Sequence, residues 1–516
     1  MVEIIEGATV YTMANGAQEA LAIENGLVAA VGALSELRAR FANARRVSVE
    51  GSIVPAFNDC HCHILSLGID LAKADLRGCR SVEEIQARLR DWSARNPAAE
   101  WILGLAYDQN LLPGGKHLTR KDLDAVSSER PIYLNHVSKH GAAVNSVALG
   151  LAGIGASTED PSDGKIERDE KGEPTGILME SASSMVSRLM SKPNEDEMVE
   201  RILAAGKSLA DRGILAASDA STGWIDLETE LRAYARAGEA GCPVKMTLMP
   251  LYGSVLKRGW LDDPSAMRTA FSGARIGPIK LFADGALTLR TAALREPYAD
   301  GTNRGILNYE PEDLIERIVR AHRAGWQIAV HAIGDRAVDI VLDGYERALE
   351  SRPVQDHRHR IEHCMMMHPD SMDRMRRLGV MAVAQPEFLH WLGPAYLEGI
   401  GERANYLMPY RSWADADIEF AFSSDQPVVP GDPIVGWRAA VTRRSASGFE
   451  FGASERLAPL EALERFTVGG AYATFDSSIG SLAPGMEARF AVLSQTPEQI
   501  GDGGMKVLGT SNDLST

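Results

Sequence analysis

Eight short strand-like runs recur along the chain, and amphipathic stretches follow several of them. The runs are 53–58, 213–219, 243–249, 276–283, 327–331, 359–362, 379–384 and 419–424. Apolar residues recur at helical spacing in Asp335–Ser351, Pro369–Leu378 and Pro459–Ala471. Alternating strands and helices build an α/β protein with a parallel sheet, and eight such units predict a (β/α)8 TIM-like barrel. In that fold the chemistry sits at the C-terminal ends of the strands. A chain of 516 residues has room for a barrel and accessory pieces.

The accessory pieces can be placed. Val2–Ile5, Thr9–Met13, Ala20–Ile23, Leu27–Val31 and Arg46–Val49 read as short strands, and Asn15-Gly16 and Asn25-Gly26 are hairpin turn signals. These strands are too few to close alone. The turn Gly480-Ser481-Leu482-Ala483-Pro484-Gly485 and the strand Ala488–Leu493 supply a complement. Residues 1–52 and 476–516 are therefore expected to form one small β-sandwich domain, with a barrel domain over 53–475. The stretch 59–212 is far longer than an ordinary βα loop. It holds a helix over 81–95, strands over 101–106 and 131–137, a short run over 142–148 and a helix over 194–212; its polar part, 155–175, is expected to be an exposed hairpin. We expect a lobe of about residues 70–200, inserted after the first strand over the barrel mouth. Such a lid excludes water and shapes a pocket.

The strand ends carry the chemistry. In Asn58-Asp59-Cys60-His61-Cys62-His63, two histidines stand two residues apart. Residues i and i+2 of a strand point the same way, so His61 and His63 can offer two imidazoles to one point, while Cys60 and Cys62 turn away. Neutral imidazole is the commonest metal ligand. His331, His363 and Asp425 close three further runs, and Lys280 lies inside the apolar Ile279-Lys280-Leu281-Phe282. A lysine buried there is costly unless paired or modified. Nitrogen and oxygen donors of this kind suit zinc or a similar divalent ion, and there is no cysteine set of the structural-zinc type. The matching chemistry is metal-assisted hydrolysis by hydroxide attack, with Asp425 taking the water proton and passing it to the leaving group. A cationic Lys280 would be repelled by metal ions; the carbamate of its neutral amine with carbon dioxide would instead bridge two. That logic permits one or two ions per chain.

The totals exclude other classes. A net charge of −16 with no Lys/Arg run argues against nucleic acid or anionic membrane as partner. No stretch of about 18 apolar residues is present, so no membrane span is expected. Five cysteines without regular spacing suggest a reducing compartment, and Met1-Val2-Glu3 shows no leader pattern; a cytoplasmic location is expected. The expected partner is a small-molecule substrate, and a homodimer is compatible with the sequence.

Longer segments around these residues are recognisable. They are Pro55–His63, Lys280–Ala286, Arg290–Leu294, His331–Ala337, His359–His363, Ser424–Val428 and Gly480–Gly485. Through them nearly the whole chain resembles the amidohydrolase superfamily, in the branch of the N-substituted formamide deformylases. The resemblance implies His61 and His63 on one metal, His331 and His363 on a second, Lys280 as a carboxylated bridge, and Asp425 as ligand and general base. It also implies zinc and hydrolysis of an amide or similar non-peptide carbon–nitrogen bond. Arg130–His136 and Ser138–Ser146 resemble the lobe segment of that branch, which would turn His140, and with it His136, toward substrate. Tyr107 is a similar candidate, and Gln385, Glu387, Trp391, Phe388, Leu389, Met365, Met366, Met367 and Trp437 are candidates for polar and apolar pocket contacts.

Several positions depart from the pattern: Thr288-Leu289 before the Arg-Thr-Ala run, Lys139 before His140, Ser218 before Asp219, and Met486-Glu487-Ala488-Arg489. None is a proposed metal ligand. Arg290 is expected either to grip a substrate carboxylate or carbonyl, or to pair with Asp284. His331-Ala332-Ile333-Gly334 lacks the glutamate of the deaminase proton shuttle, which disfavours deamination. An ester or lactone hydrolase, or a non-catalytic ligand-binding descendant of the fold, are the alternatives.

Overall fold

Two structural units make up the computed structural model, which describes residues 2–138 and 140–514. One runs to Leu65 and resumes at Met198; the other is Ser66–Glu197. The larger unit carries eight parallel strands: β1 (Phe57–Cys62), β2 (Ile214–Thr222), β3 (Lys245–Pro250), β4 (Ile279–Phe282), β5 (Ile328–Ala332), β6 (Arg360–His363), β7 (Met381–Ala384) and β8 (Phe420–Phe422). They form two ladders, β3-β2-β1 and β4-β5-β6-β7-β8. Single bridges, Leu248 to Ile276 and Leu251 to Lys280, link β3 with the β4 segment. Beyond β8, the Asp425 amide donates to His61 O and the His63 amide to Gln426 O, both at 2.8 Å.

Strands covered on both faces read as continuous apolar runs rather than alternating ones. Ile328, Ala329 and Val330 of β5 are accordingly all buried. The helix Asp335–Ser351 follows and returns beside them. Its stripe Val338, Val341, Leu342, Tyr345 and Ala348 keeps helical spacing and is buried. From that stripe the Tyr345 hydroxyl donates to Arg360 O at 2.8 Å, tying the helix to β6. Pro369–Leu378 forms as expected, with Pro369 in its first turn and Gly379 closing it in the left-handed conformation.

Two expected elements of the larger unit differ. The run 53–58 is not one strand. Ser52–Pro55 pairs antiparallel with Phe490–Leu493, and only from Phe57 does the chain join β2. Pro55 is the one break signal in Ile53-Val54-Pro55-Ala56-Phe57; apolar residues continue on either side of it because both partners demand them. The expected helix over 459–471 is two, Pro459–Phe466 and Val468–Ala473, broken at Thr467. The Thr467 hydroxyl donates back to Leu463 O at 3.0 Å.

The chain ends meet in two sheets. One has the order Leu27–Gly32, Ala20–Glu24, Val2–Glu6, Arg45–Ser48; the other is Val507–Thr510, Phe490–Leu493, Ser52–Pro55, Thr9–Tyr11, Ala17–Gln18. Ile5, Leu21 and Val28 of the first share a core with Val10, Ile53, Phe490 and Val492 of the second. The unit Ser66–Glu197 has a six-stranded sheet of its own. Ile132 and Leu134 face one cluster with Ile85, Leu89 and Leu123, whereas Tyr133 faces another with Leu178 and Val186. Its polar hairpin is Gly164–Arg168 with Pro174–Glu180, later in the chain than expected.

Gly51 leads into Ser52 at a φ of 101°, and a Cβ there would lie 2.1 Å from Leu493 O. Gly51→Ala is expected to lower unfolding free energy in urea by about 1–3 kcal/mol. Gly448→Ala, also at positive φ but with open space around it, should cost distinctly less; equal losses would show that the contact with the C-terminal strand is unimportant.

Candidate metal centre

The C-terminal end of β1 presents His61 and His63. His61 is buried and its Nδ1–H donates to the Glu362 carboxylate of β6, leaving Nε2 3.4 Å from Asp425 Oδ1. His63 Nδ1 lies 2.8 Å from Ser221 Oγ, and its Nε2 lies 2.9 Å from Asp425 Oδ1. One donor atom from each of His61, His63 and Asp425 falls within 4.8 Å of the others. Asp425 holds a φ of 59° just past β8, a conformation that a non-glycine residue keeps only under external support. The support comes from Asp59, whose carboxylate accepts from the Ser424 amide at 2.9 Å and from Gln426 Nε2 at 3.0 Å.

Two more imidazoles stand beside this group. His331 Nε2–H donates to Gly285 O at 3.0 Å, which frees Nδ1. His363 Nδ1–H donates to Gln385 Oε1 at 2.7 Å, which frees Nε2. The His331 and His363 ring centres are 4.5 Å apart, and those of His61 and His363 are 4.9 Å apart. Phe388 stacks on His363 at 6.1 Å. Burial, with Lys280 adding to it, pulls His331 down to about 3, and burial also holds His363 well below its ordinary value. Both rings are therefore neutral at pH 7, as metal ligation requires. Burial would raise Asp425, but the hydrogen bonds of His61 and His63 outweigh it and hold the carboxyl well below the usual range. Lys280 Nζ is buried without a hydrogen-bond partner. Burial brings it down to about 8 against the opposing pull of Glu362 and Asp425.

This donor set fits a divalent ion. It combines imidazoles with free nitrogens, an ionised carboxylate and an amine whose hydrogen-bonding capacity is unmet. Among the residues that order the ligands from behind, Ser221, Arg360 and Glu362 received no role in the sequence. Arg360 and Glu362 are an i, i+2 pair on the strand Arg360-Ile361-Glu362-His363, and both are fully buried, in contact with each other. Two opposite charges at that spacing on a buried strand were the available signal.

The substrate candidates scatter. Gln385 lies behind His363, with Nε2 donating to Ser423 Oγ at 2.9 Å, so its amide is committed to orienting a ring rather than free for substrate. Asp284 does not pair with Arg290. It is buried and accepts the amides of Ala293, Ile333 and Gly334, its Oδ1 lying 3.6 Å from His331 Nε2. Arg290 is turned to Asp300 and Glu398. The indole N–H of Trp391 donates to Glu387 Oε1 at 2.8 Å while its ring is half exposed. Met365, Met366, Met367, Leu389 and Trp437 are buried, and Trp437 packs edge-on to Phe57 as core. Tyr107 and His140 belong to Ser66–Glu197. Tyr107 is buried with its hydroxyl 3.1 Å from His117 Nδ1, and His140 Nδ1 lies 3.1 Å from Glu180. Lys139, one of the departures from the family pattern, lies outside the described residues.

Residues 50–506 match the amidohydrolase family. The chain belongs to that family. It is 30% identical over 514 residues to the Bacillus subtilis (strain 168) protein YtcJ, named for an amidohydrolase, covering 97% of this chain and 96% of that one. It is 29% identical over 513 residues to the N-substituted formamide deformylase of Arthrobacter pascens, covering 96% and 93%. The solved structure of an uncharacterised metal-dependent hydrolase from Pyrococcus furiosus superposes with a TM-score of 0.78 at 29% identity, over 96% of this chain and all of that one. As an amidohydrolase family member the protein is a hydrolase. No helix among the described residues is long and apolar enough to cross a membrane.

Glu387 of this amidohydrolase supplies a pH signature. It is buried, its Oε2 has no partner, and burial pushes it from 4.5 up to about 8. The folded state keeps this proton where the unfolded chain has lost it. Its contribution to stability is full below about pH 4.5 and is lost as pH rises toward 8, with a slope of at most about 1.4 kcal/mol per pH unit. Urea unfolding at about pH 5.5 and about pH 7.5 should show wild type losing stability relative to Glu387→Gln; parallel losses would mean Glu387 is ionised in the fold.

Proposed function

We propose that this amidohydrolase is a metal-dependent hydrolase of small-molecule amides, cleaving a non-peptide carbon–nitrogen bond of the N-acyl or N-formyl type. The observation that carries the reading is the convergence of His61, His63, His331, His363, Lys280 and Asp425 at the ends of parallel strands. We read those strands as the eight of one (β/α)8 barrel, with the contacts between Asp425 and His61 closing the gap from β8 to β1. His61, His63 and Asp425 would hold one divalent ion; His331 and His363 would hold a second, with Lys280 between. Zinc is the first candidate, and such an ion supplies Lewis acidity that polarises a carbonyl and acidifies a water molecule.

The chain's own groups do the rest. Asp425 turns Oδ1 toward His61 and His63 and leaves Oδ2 to take the water proton and hand it to the leaving nitrogen. Phe388, stacked on His363, keeps water from that side of the ring. Lys280 at about 8 has an appreciable neutral fraction at pH 7. A neutral amine adds carbon dioxide and loses a proton to give the carbamate, which converts a repelled cation into an anionic ligand. The name of the Arthrobacter pascens relative makes N-formyl amines the first class to assay.

Elemental analysis of protein purified without chelator or His tag should find one to two equivalents of zinc or a similar ion per chain. Asp425→Asn should retain metal and lose about 10²–10⁴-fold in kcat on any amide turned over by wild type; a near-normal rate would remove Asp425 from the proton transfer. Lys280→Ala should lower metal content, with partial rescue by added acetate or propionate. Unchanged content would rule out a bridging lysine.

A further inference from the structure

We propose that the buried Arg360–Glu362 pair makes His61 the strongest of the four imidazole donors, so that the first divalent ion to bind settles on His61, His63 and Asp425. The inference rests on the metal-centre reading above and adds an order of filling to it.

The four rings differ in what stands behind them. Ser221 Oγ lies behind His63, Gly285 O behind His331 and Gln385 Oε1 behind His363. All three of these acceptors are neutral; the Asp284 carboxylate also stands near His331, but at 3.6 Å from Nε2 it lies beyond hydrogen-bond distance. His61 alone donates to a carboxylate, Glu362. Hydrogen bonds to an ionised acceptor are roughly twice as strong as neutral ones, and such a partner makes the opposite ring nitrogen a better donor to metal. Arg360 keeps that carboxylate in place: its guanidinium bonds both Glu362 oxygens, and Nη2 also donates to Cys60 O at 2.8 Å, on the residue before His61. The arginine thus fixes both the carboxylate and the main chain that carries the ring.

Stability alone does not account for the pair. Arg360 and Glu362 are both fully buried, and desolvating two charges costs about as much as their attraction returns. Apolar residues of similar volume would join β1 to β6 as well. A second observation points to the same place. Among the described residues, His61, His63 and Asp425 are the one group of three His, Cys, Asp or Glu donors whose ligand atoms lie so close together. Little rearrangement is needed there before an ion can bind.

The test is stepwise zinc binding to metal-free protein, read by competition with a chromophoric chelator. Wild type should bind its first equivalent tightly. Glu362→Gln should weaken that step about 10–100-fold. Gln385→Met should leave the first step unchanged and affect only a later one. His331→Asn should keep the first equivalent and His61→Asn should lose it. Melting of the metal-free proteins separates lost affinity from lost fold. Should Glu362→Gln fail to fold, the double change Arg360→Met with Glu362→Met removes both charges at similar volume and should show the same weakened first step. Wild-type protein that takes up no zinc would overturn the metal centre and this inference together. Wild-type protein that takes it up, with either carboxylate variant matching its first step, would overturn the inference alone, as would a first step weakened by Gln385→Met.

Discussion

The main chain of His61–His63 and that of Asp425–Gln426 exchange two hydrogen bonds, and the centre depends on that exchange. It brings the end of β8 alongside the end of β1, although the two lie at opposite ends of the strand sequence. Asp59 reinforces it from within β1 by accepting from Ser424 and Gln426. A positive φ at Asp425 is then tolerable, and its carboxylate meets two imidazoles. Were these contacts absent, the residues would still sit at strand ends but would have no shared focus.

Burial sorts the charges in this region. Imidazoles lose their protons cheaply, so His331 and His363 respond to desolvation by staying neutral. Carboxylates cannot do so while facing donors. Glu362, held by Arg360 and His61, is kept well below its ordinary value even though burial opposes it, and Asp425 behaves alike. Lys280 has neither escape. It is buried like the imidazoles, with no hydrogen-bond partner and the ring face of Phe282 near its amine, and it keeps part of its charge. That makes it the least satisfied group of the centre and the one whose chemistry is most open to change by what binds beside it.

Much of this was legible because local rules suffice. Two histidines two apart at the end of an apolar run share a face whatever the rest of the chain does. Asp335–Ser351 announces itself by its stripe, and Pro369–Leu378 by proline at one end and glycine at the other. The change of sheet at Ala56 was marked by Pro55 alone, and strands of either sheet want the same apolar residues around it, so the run read as one strand. The helix from Pro459 breaks at Thr467, where the backbone leaves helical geometry, and apolar periodicity does not register that. Arg290 sat near Asp284 in sequence but found Asp300 and Glu398, because the amides of Ala293, Ile333 and Gly334 had already taken that carboxylate. For Glu362 the charge was visible and the partner was not: His61 is brought to it only by the tertiary fold.

The shared sheet of the two chain ends bears on how the protein is made. Ile53 pairs with Val492, and Ala491 with Val54. During synthesis the strand Ser52–Pro55 emerges well before Phe490–Leu493, so one of its edges has to wait for strands β1–β8 between them to be made. Over that interval an apolar edge is open to pairing with other strands, the state in which large β-containing proteins aggregate. A strand made late therefore closes one made early, and a chain cut anywhere upstream of Phe490 would carry that edge uncovered.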